Sequence, residues 1–444
     1  MAASLPDYGE GEGDTPTLHS IDDKEKQEIS VKETVLPSPH QEFPEGGLQA
    51  WLSVLGAILV QFCTFGYISS FGVYQGRIRI SLDFGSIPNA VEIGWIGSIQ
   101  VMLIMSMGLF TGRAFDAGYF HHLVLGGTIL HGFAFFMLSL SHQDQYYQVF
   151  LTHGLLGGVA CGVMYIPSLG IPSHYFHRKR ALTMGIVSAG ASTGAVIHPI
   201  MLNRLFHGSL GFHDGVRASA GMNLGLLLLA NVLMKPRLPP KKTASIHVKA
   251  FIRDIPYVFV VFSGFLCMMA MFIPIFFLQL KVVKGGMNRT FAFYSISIMN
   301  GASIVGRIIP GFFVQRFGVI NLMVVNTFGI IALMFCFMVV ETVAGVVCFA
   351  IFFGLFSGSV VTLMPPLLAS LARDFSEIGA RMGLCFTIMG FGGLVGSPIA
   401  GALLTSDYIW WRPVVFGGVV MTVGQLLMII ARFLVVRRKG TQKV

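Results

Sequence analysis

Arg307 is the residue of this sequence with the clearest chemical meaning. It stands inside an apolar stretch, residues 291–313, eight residues before Gln315 at the polar end of that stretch. In a helix this spacing places the guanidinium on the order of 12 Å from the end. A permanently charged fork of N–H donors is suited to a carboxylate. We therefore predict that Arg307 binds the anionic group of a substrate. The alternative is a structural role, in which the side chain reaches the membrane surface or donates to a backbone carbonyl.

Three histidines within apolar stretches are candidates for carrying a proton, because imidazole titrates near neutral pH. No Asp or Glu lies deep inside these stretches, so a proton carrier would have to be His131, His153 or His198. The sequence favours His198, since it precedes Pro199, where an interrupted helix leaves a carbonyl free. For each histidine taken alone, the alternative is a hydrogen-bonded residue of the packed interior.

Polar residues along the first apolar stretch form a third candidate site. Gln61, Thr64, Tyr67 and Tyr74 fall within an arc of about 140° when each residue turns a helix by ~100°. Such a stripe would line a water-filled pathway or hold neighbouring helices together. Further candidates for substrate contacts are Tyr165, Asn300 and Ser303. The 23 methionines would suit an adaptable apolar pocket.

The composition indicates that membrane helices carry these residues. Of the 444 residues 54% are hydrophobic and only 11% are charged, against about 25% charged in soluble domains. This excludes a soluble enzyme, a secreted disulfide scaffold and a disordered chain. The six cysteines lie in apolar stretches without metal-ligand spacing. No nucleotide-binding, metalloprotease or nucleophile-elbow motif is present, so we predict a protein that is not an enzyme and needs no cofactor or metal.

Twelve apolar stretches have the ~20 residues that a helix needs to cross the hydrocarbon of a bilayer. They are 50–74, 93–111, 123–140, 147–169, 181–202, 218–234, 256–279, 291–313, 320–340, 343–364, 383–404 and 413–434. The predicted fold is therefore an all-α membrane protein with two six-helix bundles. The predicted domains are a disordered acidic tail (1–45), the bundles (46–234 and 256–435), a linker (235–255) and a basic tail (436–444).

Charge predicts the orientation of these spans. Residues 1–49 carry a net charge of −8, and the rest of the chain carries +17. If both termini are cytosolic, and setting aside the acidic tail and the in-span Arg307 and Arg432, seventeen Lys and Arg residues lie on the inside and eight on the outside. This favours cytosolic termini in a cell-membrane protein. This predicts a bilayer rather than nucleic acid as the partner of the basic residues. A sequon at Asn288 falls on the predicted outside, and we expect its short loop to leave it unmodified.

The two halves of the sequence look like a repeat. Gly112, Arg180, Gly190 and Pro199 correspond to Gly311, Arg381, Gly390 and Pro398, and the four offsets range from 199 to 201 residues. Parallel halves related by an axis along the membrane normal are typical of one transporter architecture.

The loop after the second span resembles the signature turn of the major facilitator superfamily, in which Gly, an acid, a basic residue and Gly form a tight turn. Gly112 and Asp116 keep this pattern, and the second copy keeps Arg316 and Gly318 but has Gln315 in place of the acid. The resemblance implies that these residues form gates between the halves. Glycine permits close helix approach, and an acid can face a helix N-terminus in one conformation only.

Within the superfamily, the sequence resembles the monocarboxylate-porter branch in its fungal form. The resemblance rests on residues 44–51, 95–100, 174–181 and 300–307. It implies a secondary transporter of a small organic anion, monocarboxylate-like or a secondary metabolite, working by alternating access with or without protons. Position 303 is Ser where animal carriers of this branch have Asp. A non-transporting nutrient sensor and a facilitated uniporter stay open as alternatives.

Overall fold

The structure, a computed structural model, describes residues 43–74, 88–142, 145–238, 251–372, 377–405 and 408–444, and of residues 88–94 only the backbone. In these residues all regular secondary structure is helical. Most of the predicted tail 1–45 and of the predicted linker 235–255 lies outside the described residues.

Twelve helices in the described part of the chain are long and apolar enough to cross a membrane. They are α1 Leu48–Tyr74, α2 Trp95–Asp116, α3 Phe120–Leu138, α4 Tyr146–His174, α5 Arg180–His207, α6 Gly211–Leu233, α7 Ile255–Lys284, α8 Arg289–Phe317, α9 Val319–Val339, α10 Val343–Leu371, α11 Ile378–Leu404 and α12 Trp411–Lys439. The backbone of α2 is helical from Pro88. Each helix coincides with one predicted stretch, so the predicted all-α fold is confirmed. Asn288 caps α8, because its side chain accepts a hydrogen bond from the backbone N–H of Thr290 at 2.7 Å.

Two helices depart from regular α geometry. The helix α1 is interrupted at Thr64, whose φ of −97° and ψ of −89° break the α-helical course. The helix α4 contains a π-helical segment, Phe150–Leu156, a form that is rare and frequent at functional sites.

Glycines bring helices into backbone contact within each half. A Cβ on Gly190 would lie 2.5 Å from the Ile58 carbonyl oxygen of α1, and one on Gly358 would lie 2.6 Å from the Ser303 carbonyl oxygen of α8. Gly190 and Gly194, and likewise Gly354 and Gly358, are four residues apart in the sequence, a spacing that predicts such close contacts between helices.

The first half (α1–α6) and the second half (α7–α12) meet mainly through α5 on α8 and α2 on α11. We call the face at which α1 begins and α12 ends the terminal side, since twelve crossings return the chain to the side on which it starts. In the described part of the chain, every hydrogen bond between the halves lies either at the pair Ser192–Ser303 or between this pair and the terminal side. The halves are therefore closed against each other on this side.

Candidate functional site

Arg307 lies in the interface between the two halves. It stands ten residues before the terminal-side end of α8, which is roughly 15 Å along the helix. Its Nη1 donates to the carbonyl oxygen of Ser188 at 2.6 Å and to the Ser188 hydroxyl at 3.0 Å. Gly185, one turn earlier on α5, leaves no room for a Cβ beside the Arg307 carbonyl. Arg307 thus joins α8 to α5 with a side chain that is 7% exposed.

The charge of Arg307 is incompletely compensated. In the described part of the chain it has no ion pair with an acid, and its Nε has no hydrogen-bond partner. Tyr165 of α4 lies within electrostatic reach. A buried charge without a counter-charge is unfavourable. The arrangement is suited to an anion that approaches between the halves.

Ser303 and Asn300 precede Arg307 on α8, and they differ in how far they are buried. The Ser303 hydroxyl accepts a hydrogen bond from Ser192 of the other half at 3.1 Å and is buried. Asn300 is half-buried and donates to the Ile296 carbonyl of its own helix. Of the substrate contacts predicted from the sequence, the structure brings Ser303 and Tyr165 together with Arg307 around the inter-half interface.

Gln61 and Tyr67 lie inside the first half, where Gln61 donates to the backbone carbonyl of Tyr165 at 3.4 Å. Gln61 also donates to the Ser168 hydroxyl of α4 at 2.8 Å, and the Tyr67 hydroxyl lies 2.5 Å from that of Tyr74. Both residues are 1% exposed and face the interior of the first half rather than a pathway between the halves. Helical periodicity puts the polar residues on one face but does not say which neighbours that face meets. In this conformation the stripe joins helices, which was its alternative interpretation.

The structure brings the three predicted histidines together. The ring centroid of Tyr67 lies 6.3 Å from those of His131 and His153 and 5.0 Å from that of His198. All three imidazoles are fully buried inside the first half. The sequence singled out these residues one by one, and only the packing of four helices makes them a group.

The predicted gate residues of the first half lie where α2 meets α11. A Cβ on Gly112 would lie 3.0 Å from the Gly379 carbonyl oxygen, and the Asp116 carboxylate fills the space beside Gly379 near the start of α11. The second copy of the pattern is arranged differently. Arg316 is exposed beside the Phe317 ring, and Gly318 turns the chain between α8 and α9 with φ +86°.

Gln315 makes the inter-half contact on the α8 side. Its Nε2 donates to the Arg178 carbonyl at 2.6 Å in the loop between α4 and α5. The same loop is held from the first half by Glu45, whose carboxylate accepts from the backbone N–H groups of His177 and Arg178. Desolvation raises the pKa of Glu45, but hydrogen bonds from Arg178, His177 and Lys179 outweigh it, so the net pKa is lowered.

A buried ionic cluster in the second half was not predicted from the sequence. Arg381 is 1% exposed and donates to Asp254 at 2.7 Å and to Glu377 at 3.1 Å. Its guanidinium lies 4.9 Å from the Phe251 ring centroid and 5.1 Å from that of Tyr257. Arg381 and Asp254 both lie at span ends, where hydropathy predicts loop charges. The only signal was the repeat, in which Arg381 corresponds to the half-buried Arg180.

An apolar cavity lies mostly within the second half, with Tyr165 at its border. The space open to the centre of a water molecule is about 20 Å³, which is more than the ~10–15 Å³ that one water needs. Seven methionines line it: Met105, Met268, Met271, Met323, Met364, Met389 and Met428. Methionine is flexible and polarizable, so this lining can adapt to different apolar shapes.

Residues 50–374 match the model of the Major Facilitator Superfamily. The chain is 36% identical to the aspyridones efflux protein apdF of Emericella nidulans over 92% of its own length and 83% of that protein. It is 33% identical to the agnestins efflux protein AgnL12 of Paecilomyces divaricatus over 91% and 92% of the two chains. The E. coli fucose:proton symporter FucP shares the fold with a TM-score of 0.65 at 13% identity, covering 86% of this chain and 98% of FucP. The chain is a multi-pass membrane protein that belongs to the major facilitator superfamily.

Proposed function

We propose that this protein is a secondary transporter that exports a small organic anion with an apolar body, of the secondary-metabolite kind, by alternating access. The observation that carries the proposal is Arg307, a buried guanidinium between the halves that has an unpartnered Nε and no acidic partner among the described residues. Charged residues inside a membrane protein mark substrate pathways by default. An incoming anion would complete the charge and hydrogen bonding of Arg307.

The methionine-lined cavity supports an apolar body for this cargo. Tyr165 borders the cavity and lies within electrostatic reach of Arg307. A ligand whose carboxylate binds Arg307 would therefore direct its apolar part toward Tyr165 and the methionines. The head group would match a monocarboxylate, as the resemblance to that porter branch implies. Ser303 offers a hydroxyl in place of the branch's acid.

The names of relatives support the direction of export, and the distribution of charge supports the orientation of the chain. Relatives at 36% and 33% identity are named as efflux proteins. Basic residues accumulate on the terminal side, including Arg178, Arg237 and Arg437, and positive charge is retained on the cytosolic face of membranes. We therefore place both ends of the chain in the cytosol of a cell-membrane protein, with Arg307 meeting cargo from that side once the halves separate there.

The test compares metabolites inside and outside cells that express the wild-type protein, Arg307→Ala or Arg307→Lys. We expect the wild type to release an acidic, apolar metabolite into the medium. Arg307→Ala should lower this release at least tenfold, since about 1.4 kcal/mol of lost binding already gives tenfold. Arg307→Lys should recover only part of it, because an ammonium keeps the charge but lacks the planar fork.

The matched control is Arg217→Ala, which removes an exposed arginine paired with Asp214 and should leave release unchanged. Equal membrane abundance of all variants is required. Release that is unchanged in Arg307→Ala would remove Arg307 from the mechanism. A nutrient sensor would instead show no flux in the wild type and would lose its signal when residues 1–44 are deleted.

A further inference from the structure

Five aromatic and imidazole side chains form one buried group inside the first half, which we call the histidine cluster: Tyr67, Tyr74, His131, His153 and His198. Tyr67 occupies its centre, and Tyr74 lies 5.0 Å from His153, centroid to centroid. The five side chains are at most 1% exposed. They come from α1, α3, α4 and α5, and they lie toward the side opposite the terminal side.

The backbone is irregular where it borders this cluster. His131 Nε2 lies 3.2 Å from the Cys63 carbonyl oxygen, and His198 Nε2 lies 3.2 Å from the Phe62 carbonyl oxygen. Both carbonyls precede Thr64, the residue at which α1 is interrupted. His153 belongs to the π-helical segment of α4. Interrupted and π-helical turns inside membrane helices occur where polar partners are at hand.

These contacts fix the protonation of two rings. A carbonyl oxygen only accepts, so Nε2 of His131 and of His198 must carry hydrogen. In the neutral imidazole the other nitrogen, Nδ1, then holds a bare lone pair. The Nδ1 atoms of both residues are buried without a hydrogen-bond partner, and His153 has no partner at either nitrogen. The cluster therefore presents several basic nitrogens that are ready to accept a proton or a water hydrogen.

Neighbouring polar groups share this unsatisfied state. On α6, both side-chain amide atoms of Asn223 are buried without hydrogen-bond partners. Such groups are unfavourable if they stay unpaired, and buried waters typically satisfy them with about three hydrogen bonds each. The concentration of these groups in one region indicates a site built to hold water.

Among the described groups that face the cluster, the imidazoles are the basic side chains. The other groups are Cys63 and the two tyrosines from α1, Cys161 from α4, and from α6 Ser219 and the backbone carbonyl of Asn223, which accepts from the Cys63 thiol. Among the described side chains, no carboxylate or permanent cation interacts with the cluster. Beyond His247 the sequence contains no histidine, so the second half has no counterpart of this site.

We propose that the histidine cluster is an internal hydrated site that takes up one proton, shared by its three imidazoles, and that this proton governs the transport cycle. Two imidazolium ions around one phenol would repel each other strongly in a medium of low dielectric constant, which limits the site to one charge. The role of this proton in the transport cycle rests on the proposed function. The helix α5 provides the link, because His198 and the Arg307 partner Ser188 lie ten residues apart on it, about 15 Å.

The site is tested by histidine C2 hydrogen–deuterium exchange, followed by mass spectrometry on the purified full-length protein in nanodiscs. This exchange reports both titration and water access for each ring and needs no cargo. We expect His131, His153 and His198 to exchange and to titrate together, and we expect His153→Gln to shift the midpoint of the other two. His121→Gln, at an exposed histidine outside the cluster, should shift none. Absent exchange at the three rings or independent titration would overturn the proposal.

A second variant covers the case in which the histidine variants do not fold. Asn223→Leu keeps every imidazole but removes two water-binding atoms, so C2 exchange of the cluster should slow roughly tenfold, the effect of about 1.4 kcal/mol on water entry. Unchanged exchange in Asn223→Leu would contradict a hydrated site.

The link to transport is measured separately. The release rate of wild-type cells should differ several-fold between about pH 5.5 and 7.5, and His153→Gln should lose this difference while His121→Gln keeps it. Retained pH dependence in His153→Gln would refute the coupling. A wild type without release would refute the proposed function, and the exchange experiment would still decide the site.

Discussion

Arg307 and Arg381 are both buried guanidiniums on the second half, and their surroundings separate their roles. Arg381 has two carboxylate partners and two aromatic rings, so its charge is balanced within the fold. Arg307 has one serine, through its carbonyl and hydroxyl. The sequence predicted the depth of Arg307 because hydropathy defines the span around it. It could not predict the burial of Arg381, which depends on how the start of α7 packs against α11.

Asp254→Asn tests the structural role of the Arg381 cluster. The change leaves Arg381 buried with only the partly exposed Glu377, so we expect a loss of roughly 3–5 kcal/mol in the free energy of unfolding. Thermal unfolding in detergent would measure it. The matched control, Asp214→Asn, removes one partner of the exposed pair with Arg217 and should cost less than about 1 kcal/mol. Equal effects of the two changes would show that burial does not set the strength of the Asp254 pair.

Helices that cross between the halves depend on glycine at the contact. The carbonyl of Gly108 on α2 lies 2.6 Å from the position of a Cβ on Gly383 of α11, so backbone meets backbone there. In the equivalent contact of α5 with α8, Gly311 packs against Leu182, and a Cβ on Gly311 would lie 2.6 Å from the Leu182 Cα. The sequence indicated Gly112 as a gate residue and Gly311 as its counterpart in the repeat. It did not give the helix that each one meets.

Gly383→Ala should disfavour the closed terminal side, because its methyl group meets backbone that cannot move aside. A Cys introduced at Ser106, which accepts a hydrogen bond from Thr387 across this interface through its carbonyl, should then react several-fold faster with an impermeant maleimide from the terminal side. Gly221→Ala on α6 is the control, since nothing lies within 4 Å of its Cβ position. Both changes raise helix propensity by about 1 kcal/mol. A similar labelling rate in both variants would contradict a glycine-dependent gate.

At the scale of the whole molecule, the sequence predicted the twelve crossings and the internal repeat because hydropathy and landmark spacing are properties of the chain itself. Gln61 and Tyr67 illustrate what it could not predict. Their helix face was known, but the rotation of α1 against α4 follows from packing of the whole bundle. The histidine cluster likewise needs four helices at once. The repeat also conceals a chemical asymmetry, with the buried imidazoles inside the first half and six of the seven methionines of the cavity inside the second.

The closed arrangement of the halves predicts a reversible cross-link at their boundary. The hydroxyls of Ser192 and Ser303 lie 3.1 Å apart, so cysteines at both positions would need little backbone movement to form a disulfide. We expect the Ser192→Cys/Ser303→Cys protein to cross-link under mild oxidation and to stop releasing its cargo. Reduction of the disulfide should restore the release rate that the same protein shows before oxidation. Each single variant under the same oxidant provides the baseline, because the described native cysteines stay free. A protein that cross-links fully and still releases cargo would mean that these two helices do not separate during transport, which alternating access requires.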